Sequence, residues 1–269
     1  MHPDSLPDVQ SSQDLRGIPL QEVGVRDLKY PIRVLDRRRG YQDTVATISM
    51  AVSLPHHFKG THMSRFVEVL NHYHDEFTLH TLPTILEELR RRLHAESARI
   101  EITFPYFLER SAPVTGLTAL MDYTCTFTGF SFNGQDDFIL GVRVPVTSLC
   151  PCSKEISDYG AHNQRGEVFI QVRSVRDDQG KPTFIWIEEL VDIAESSASA
   201  PVYPLLKRQD ERYVTMQAYD KPAFVEDIAR DVALKLMEDP RVAWFEVMVT
   251  NFESIHNHNA YARTSWQRP

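Results

Sequence analysis

Two stretches decide the fold class: Leu82–Arg110, LPTILEELRRRLHAESARIEITFPYFLER, and Phe224–Ser254, FVEDIARDVALKLMEDPRVAWFEVMVTNFES. Leu82, Ile85, Leu86, Leu89 and Leu93 recur at helical spacing in the first, and Val225, Ile228, Ala229, Val232, Ala233 and Leu236 do so in the second. Each helix passes through a short turn carrying an acidic residue into a strand that runs to an aromatic and then a Glu. The same helix–turn–strand plan at low residue identity predicts two structurally similar modules. Thr81 is expected to cap the first helix and Pro222 to open the second.

Working outward, Thr44–Val52 alternates as a strand, and His62–Val67 starts a short helix. Strands are expected at Ala98–Phe104, Thr118–Phe132 and Phe138–Val146, the last two joined by the hairpin signal Asn133-Gly134. In the second half, Glu167–Val175 is expected to pair with a strand at Thr183–Val191 across Asp177–Gly180, and a strand at Ala243–Thr250 follows the second helix. Runs of strands and helices in this order predict an α+β fold with antiparallel sheets layered with helices. The expected spans are an N-terminal arm at 1–40, ending in the charge run Asp36-Arg37-Arg38-Arg39, a first module at 41–147 and a second at 148–269.

At 42% hydrophobic and 25% charged residues, the chain is neither a disordered segment nor a coiled-coil rod. No apolar run reaches the ~18 residues of a membrane span, and the N-terminus carries no secretory pattern. A net charge of −8 argues against broad nucleic-acid binding but leaves room for a small anionic substrate met by a local basic cluster. Three cysteines are too few for a disulfide scaffold. The expectation is a cytoplasmic protein with reduced thiols and no membrane or nucleic-acid partner.

Chemistry concentrates in two runs. In Thr147-Ser148-Leu149-Cys150-Pro151-Cys152-Ser153-Lys154, the one-residue spacing of the thiols is unlike a zinc knuckle. Cys150 at a strand end reads as metal ligand, nucleophile or inert thiol, whereas Cys125 inside an alternating strand reads as core. His162, in a polar loop, reads as surface residue, ligand or base. In Asn251-Phe252-Glu253-Ser254-Ile255-His256-Asn257-His258, two His one residue apart on a strand would share a face. Glu211 and Glu226 read by default as solvated surface, the latter favoured by a helix N-terminus. If one Cys, one His and one Glu converge, they make a three-ligand divalent site with an open position for water, the equipment of a metal-dependent hydrolase.

These two runs closely resemble the type IB GTP cyclohydrolases of bacteria. So do Asp8-Val9-Gln10-Ser11-Ser12, Lys59-Gly60-Thr61-His62-Met63-Ser64-Arg65-Phe66, Leu205-Leu206-Lys207-Arg208 and Phe224-Val225-Glu226-Asp227. The resemblance implies tandem tunnelling-fold modules in a homotetramer that converts GTP to 7,8-dihydroneopterin triphosphate and formate at the entry to tetrahydrofolate synthesis. It implies one divalent metal ion per site, zinc or manganese, held by Cys150, His162 and Glu211. Glu226 resembles the carboxylate that anchors guanine. His256 resembles the catalytic histidine, with Glu253 and His258 as helpers. Lys59, His62, Arg65, Lys207 and Arg208 are the candidates for the triphosphate. The chain departs from the pattern at Ser199–Leu205, where prolines stand in place of an acidic residue and a glycine. Two other readings stand beside this one: a tunnelling-fold reductase of deazapurine metabolism using NADPH and Cys150 as nucleophile, and a non-catalytic purine- or pterin-binding module with a structural metal.

Overall fold

The computed structural model describes residues 7–73, 77–78 and 81–269. Two compact units divide them: Met1–Phe104 with Thr126–Ile139, and Pro105–Cys125 with Leu140–Pro269. Neither unit is contiguous in sequence. Strands β3 (Ser97–Ser111), β4 (Thr118–Phe132) and β5 (Gln135–Leu149) contribute residues to both.

In the first unit, β1 (Leu20–Asp36) and β2 (Gly40–Leu54) form a long antiparallel hairpin, and β2 pairs with β3. Most of β1 was expected to be an extended arm. Only Ile32, Val34 and Asp36 are buried, Val23, Val25, Leu28 and Tyr30 are half-buried, and register shifts between Leu20 and Val23 and between Val25 and Leu28 interrupt the apolar alternation that would announce a strand. The charge run is the hairpin turn: the Asp36 carboxylate accepts the N–H groups of Arg38 and Arg39 at 2.8 Å each, and Gly40 takes a positive φ of 82°. Helices α1 (Met63–Tyr73) and α2 (Leu82–Leu93) cover the sheet. Leu82, Ile85, Leu86 and Leu89 meet Ile48, Met50, Ile100 and Ile102 in a core where each is at most 1% exposed. Thr81 occupies the cap position of α2, but its hydroxyl accepts from the Thr78 N–H (2.9 Å) instead of from the helix. Asn133 and Gly134 both take positive φ, 50° and 81°, the backbone of a two-residue hairpin that matches strand twist.

In the second unit, the order is β5-β6-β8-β9, with β6 (Asn163–Ser174), β8 (Val242–Asn251) and β9 (Ala260–Gln267) all antiparallel. A two-residue strand, β7 (Ala200–Pro201), joins the end of β5. The expected strand at Thr183–Val191 is instead α4 (Ile187–Ser197). Phe184-Ile185-Trp186-Ile187 imitates a strand, yet Ile187, Leu190, Val191 and Ala194 fall on one helical face and are buried. The Glu189 carboxylate accepts the Trp186 N–H at 3.1 Å and starts the helix there. The expected turn survives as Asp177–Gly180, closed by a single Arg176–Pro182 bridge. A short α3 (Pro151–Ile156), α5 (Arg208–Asp220) and α6 (Val225–Glu238) complete the unit, with α6 packed on α4, β8 and β9. Among the described residues no helix is long and apolar enough to cross a membrane.

Candidate functional site

The second unit gathers chemistry at one end of its sheet. β5 stops because Pro151 cannot extend the ladder and instead occupies the first turn of α3. Cys150 is the N-cap: its Sγ accepts the Ser153 N–H at 3.3 Å, and its own N–H donates to the His162 carbonyl at 3.1 Å. The Ser153 hydroxyl accepts the His162 N–H at 3.1 Å. Cys150 and His162 thus sit opposite each other where β5 and β6 separate. Cys152 is exposed, and Cys125 is fully buried in β4, where desolvation pushes its thiol far above the ordinary range and keeps it unreactive.

The His162 Nδ1 lies 2.9 Å from the Gln164 Oε1, an oxygen that only accepts. With Nδ1 donating to that oxygen, the Nε2 lone pair is left for a metal or a proton. The Glu253 carboxylate stands 4.0 Å from the same Nδ1, and both side chains are nearly enclosed, at 13% and 12% exposure. Glu253 arrives there because the Phe252 N–H continues the β8 pairing by donating to the Arg165 carbonyl at 2.9 Å.

His256 and His258 do not lie on a strand as expected. They occupy the bend between β8 and β9, exposed, with rings stacked at 5.1 Å and 19°. Chain curvature, and not strand alternation, brings them together.

Glu226 is the second residue of α6 and is exposed. It lines a groove of about 460 Å³ with Ala229, Arg230, Ala233 and Leu234 on α6 and Ala262–Thr264 on β9. The start of α6 is fastened to the end of β5, the Ala223 N–H donating to the Leu149 carbonyl at 3.1 Å. Cys150 and His162 are thus themselves a backbone junction at this sheet end, Glu253 lies one residue from another and Glu226 three residues from a third.

Glu211, in the first turn of α5, is exposed. Its neighbour Asp210 escaped the sequence reading. It is fully buried and accepts the N–H groups of Val114 (2.9 Å), Thr115 (2.8 Å) and Lys207 (2.9 Å) and the Thr115 hydroxyl (2.8 Å). Burial alone would raise its pKa, but these donors outweigh it and hold the carboxyl down to about 2. The signal was present as an acidic residue three after Lys207, a helix-start pattern. Asp210 fixes the start of α5 and with it Lys207, Arg208 and Glu211.

Lys59, His62 and Arg65 belong to the first unit. The N-terminal motif lies along their loop: Lys59 N–H donates to the Ser12 carbonyl (3.0 Å), Gly60 N–H to the Gln10 carbonyl (3.1 Å), and the His62 Nε2 stands 3.3 Å from the Asp8 carboxylate. Arg65 turns away and donates to the Arg92 carbonyl at the end of α2, 2.8 Å.

Among the described residues no group of three or more His, Cys, Asp or Glu side chains is disposed to hold a metal ion. The chemistry of the Cys150–His162 pair nevertheless fits one: a thiol and an imidazole whose free nitrogen is Nε2 suit zinc and its neighbours.

Solved structures share the architecture at low identity. A uricase from Bacillus fastidious aligns with a TM-score of 0.58 at 10% identity, covering 92% of this chain and 93% of its own. A uricase from Arthrobacter globiformis aligns at 0.53 and 9%, with coverages of 92% and 93%. At such identity the likeness is one of fold. Sequence relatives are far nearer. Proteins named GTP cyclohydrolase FolE2 are 54% identical in Geobacter sulfurreducens over 96% of both chains, and 54% in Syntrophus aciditrophicus over 95% of this chain and 97% of theirs. The family profile described as Type I GTP cyclohydrolase folE2 matches residues 6–262. With that match spanning nearly the whole chain, the protein belongs to the type I GTP cyclohydrolase folE2 family.

Proposed function

We propose that the chain catalyses GTP + H2O → 7,8-dihydroneopterin triphosphate + formate as a cyclohydrolase of the IB type, built from tandem tunnelling-fold modules. Its family membership supports GTP cyclohydrolase activity in folate biosynthesis. The observation that carries the residue assignment is the meeting of Cys150, His162 and Glu253 at one sheet end, onto which the start of α6 with Glu226 is fastened. Cys150 and His162 would hold one divalent metal ion, zinc or manganese, with Glu211 as the third ligand. When bound, such an ion supplies Lewis acidity that makes water nucleophilic near neutral pH.

The residues divide the remaining work. The Glu226 carboxylate accepts from N1–H and N2–H2 of guanine. The small side chains Ala229, Ala233 and Ala262 leave a slot beside it. His256 moves protons at the purine as the imidazole ring opens, assisted by His258, whose ring is stacked on it, and by Glu253. Lys59, His62 and Arg65, with Lys207 and Arg208, neutralise the triphosphate. The active species is a cytoplasmic homotetramer; among the described residues β1 and β9 end the strand order, and a second copy can pair with such an edge.

Purified protein incubated with GTP and either zinc or manganese, with formate and pterin fluorescence followed together, tests the reading. Both products should appear in equal amounts. Pterin without formate, or no turnover with either ion, would overturn it.

A further inference from the structure

Three segments leave the sheet end of the second unit, and each carries a different part of the chemistry: Cys150 follows Ser148, Glu226 follows Ala223, and Glu253 follows Asn251. A buried relay joins these three starting points. The Asn251 Nδ2 donates to the Ser148 Oγ at 2.8 Å, and the Ser148 hydroxyl donates to the Ala223 carbonyl at 2.9 Å. Ser148 is fully buried and Asn251 is 3% exposed.

The directions in this relay are forced. The Ala223 carbonyl can only accept, so it takes the single hydroxyl hydrogen of Ser148. Ser148 can then only accept from Asn251, which must turn its amide nitrogen inward and its oxygen away. That oxygen is buried with no hydrogen-bond partner. Gly166, across from Asn251 in the β6–β8 pairing, makes the space: a Cβ there would lie 2.6 Å from the Asn251 Oδ1. Buried acceptors without partners are rare in folded proteins. Here the same amide spends one of its N–H donors on Ser148 while its oxygen faces Gly166.

From this geometry we infer that Ser148 and Asn251 are positioning residues for purine recognition: through the Ala223 carbonyl they set the start of α6 and hence the place of the Glu226 carboxylate. The inference rests on the reading of Glu226 as the guanine anchor. It separates the purine from the metal ligands, because Cys150 and His162 are held to each other by their own backbone bond at 3.1 Å and by Ser153. Loss of the relay should therefore weaken GTP binding and spare metal content. A purely structural role would do something else, lowering the folded fraction and the apparent kcat while leaving KM unchanged.

The test compares Ser148→Ala, which removes the hydroxyl, with Ser148→Thr, which keeps it. KM for GTP, kcat per folded protein and bound metal are measured in each. In the Ala variant KM should rise about tenfold or more, as expected for losing one well-placed polar contact in the anchor's support, with metal content unchanged. The Thr variant should stay near the wild type. An unchanged KM in Ser148→Ala, or a Thr variant as impaired as the Ala variant, would overturn the inference. Should Ser148→Ala fail to fold, Asn251→Asp is judged by the same KM criterion. Its carboxylate can only accept, so it draws the Ser148 hydrogen away from Ala223 without changing volume. Failure of both to fold would assign the relay to stability alone and equally overturn the proposal. Absence of GTP turnover in the wild-type protein would instead sink the functional reading.

Discussion

Glu226→Gln is the sharpest probe of purine recognition. Guanine offers N1–H and N2–H2 on one edge, so a carboxylate can accept two charge-assisted hydrogen bonds, each worth about 1.5–3 kcal/mol. Glutamine keeps one acceptor oxygen and turns an amide donor toward a purine donor. Glu226 is exposed on the free chain, so its bonds form in competition with water and the lower half of that range applies. One lost bond plus one mismatched donor then comes to about 3 kcal/mol, roughly a hundredfold in kcat/KM. The assay is steady-state kinetics with GTP and with ITP, whose base lacks the 2-amino group, alongside metal analysis. Wild-type protein should favour GTP over ITP by about tenfold or more, one hydrogen bond's worth, and the variant should narrow that gap while keeping its metal. Unchanged GTP kinetics, or an undiminished GTP preference in the variant, would mean that Glu226 serves only as a favourable charge at the start of α6.

Cys150→Ala should lose bound metal and turnover yet keep its circular-dichroism spectrum, because the residue caps a six-residue helix at the sheet end; full metal occupancy would refute the ligand assignment. Asp8→Ala should raise KM for GTP several-fold without changing inhibition by guanosine, since Asp8 accepts from Ser11 and stands beside His62, a triphosphate candidate; equal effects on both would place the motif at the base. In the second unit the Tyr123 hydroxyl accepts from the Arg110 Nε (2.8 Å) and donates to the Glu195 carboxylate (2.8 Å), so Tyr123→Phe should cost about 2–3 kcal/mol in chemical denaturation. Burial holds the Glu195 carboxyl above its ordinary value despite Arg110. The stability this group contributes is thus present below its unfolded pKa of about 4.3 and is lost as pH rises through the higher folded value. The hydroxyl donates to the ionised form, so the penalty of Tyr123→Phe should grow with pH; a penalty under about 1 kcal/mol, or one independent of pH, would contradict this account.

Much of this molecule is legible in its sequence because the responsible forces are local. Apolar residues at helical spacing place α2 and α6 whatever the neighbours do, and Asn133-Gly134 sets its hairpin because few other pairs accept two positive φ values in succession. The motifs around Cys150 and Asn251 likewise announce a family through residue identity alone. What tertiary structure decided is of another kind. The outer half of β1 is a strand because β2 supplies its hydrogen-bond partners, not because its own pattern demands one. Ile187–Ser197 is a helix because its buried face must lie against the sheet, although the preceding residues alternate like a strand. Asp210 looks like one more charge in a polar run until the turn at Val114–Thr115 brings three donors to it. The tautomer of His162 is set by Gln164, and the direction of the relay from Asn251 through Ser148 to Ala223 is set by which atoms can donate. Sequence determines which groups are available and which backbone shapes are cheap. Which donor meets which acceptor depends on distances between residues as far apart as 148 and 251, and only the folded chain supplies them.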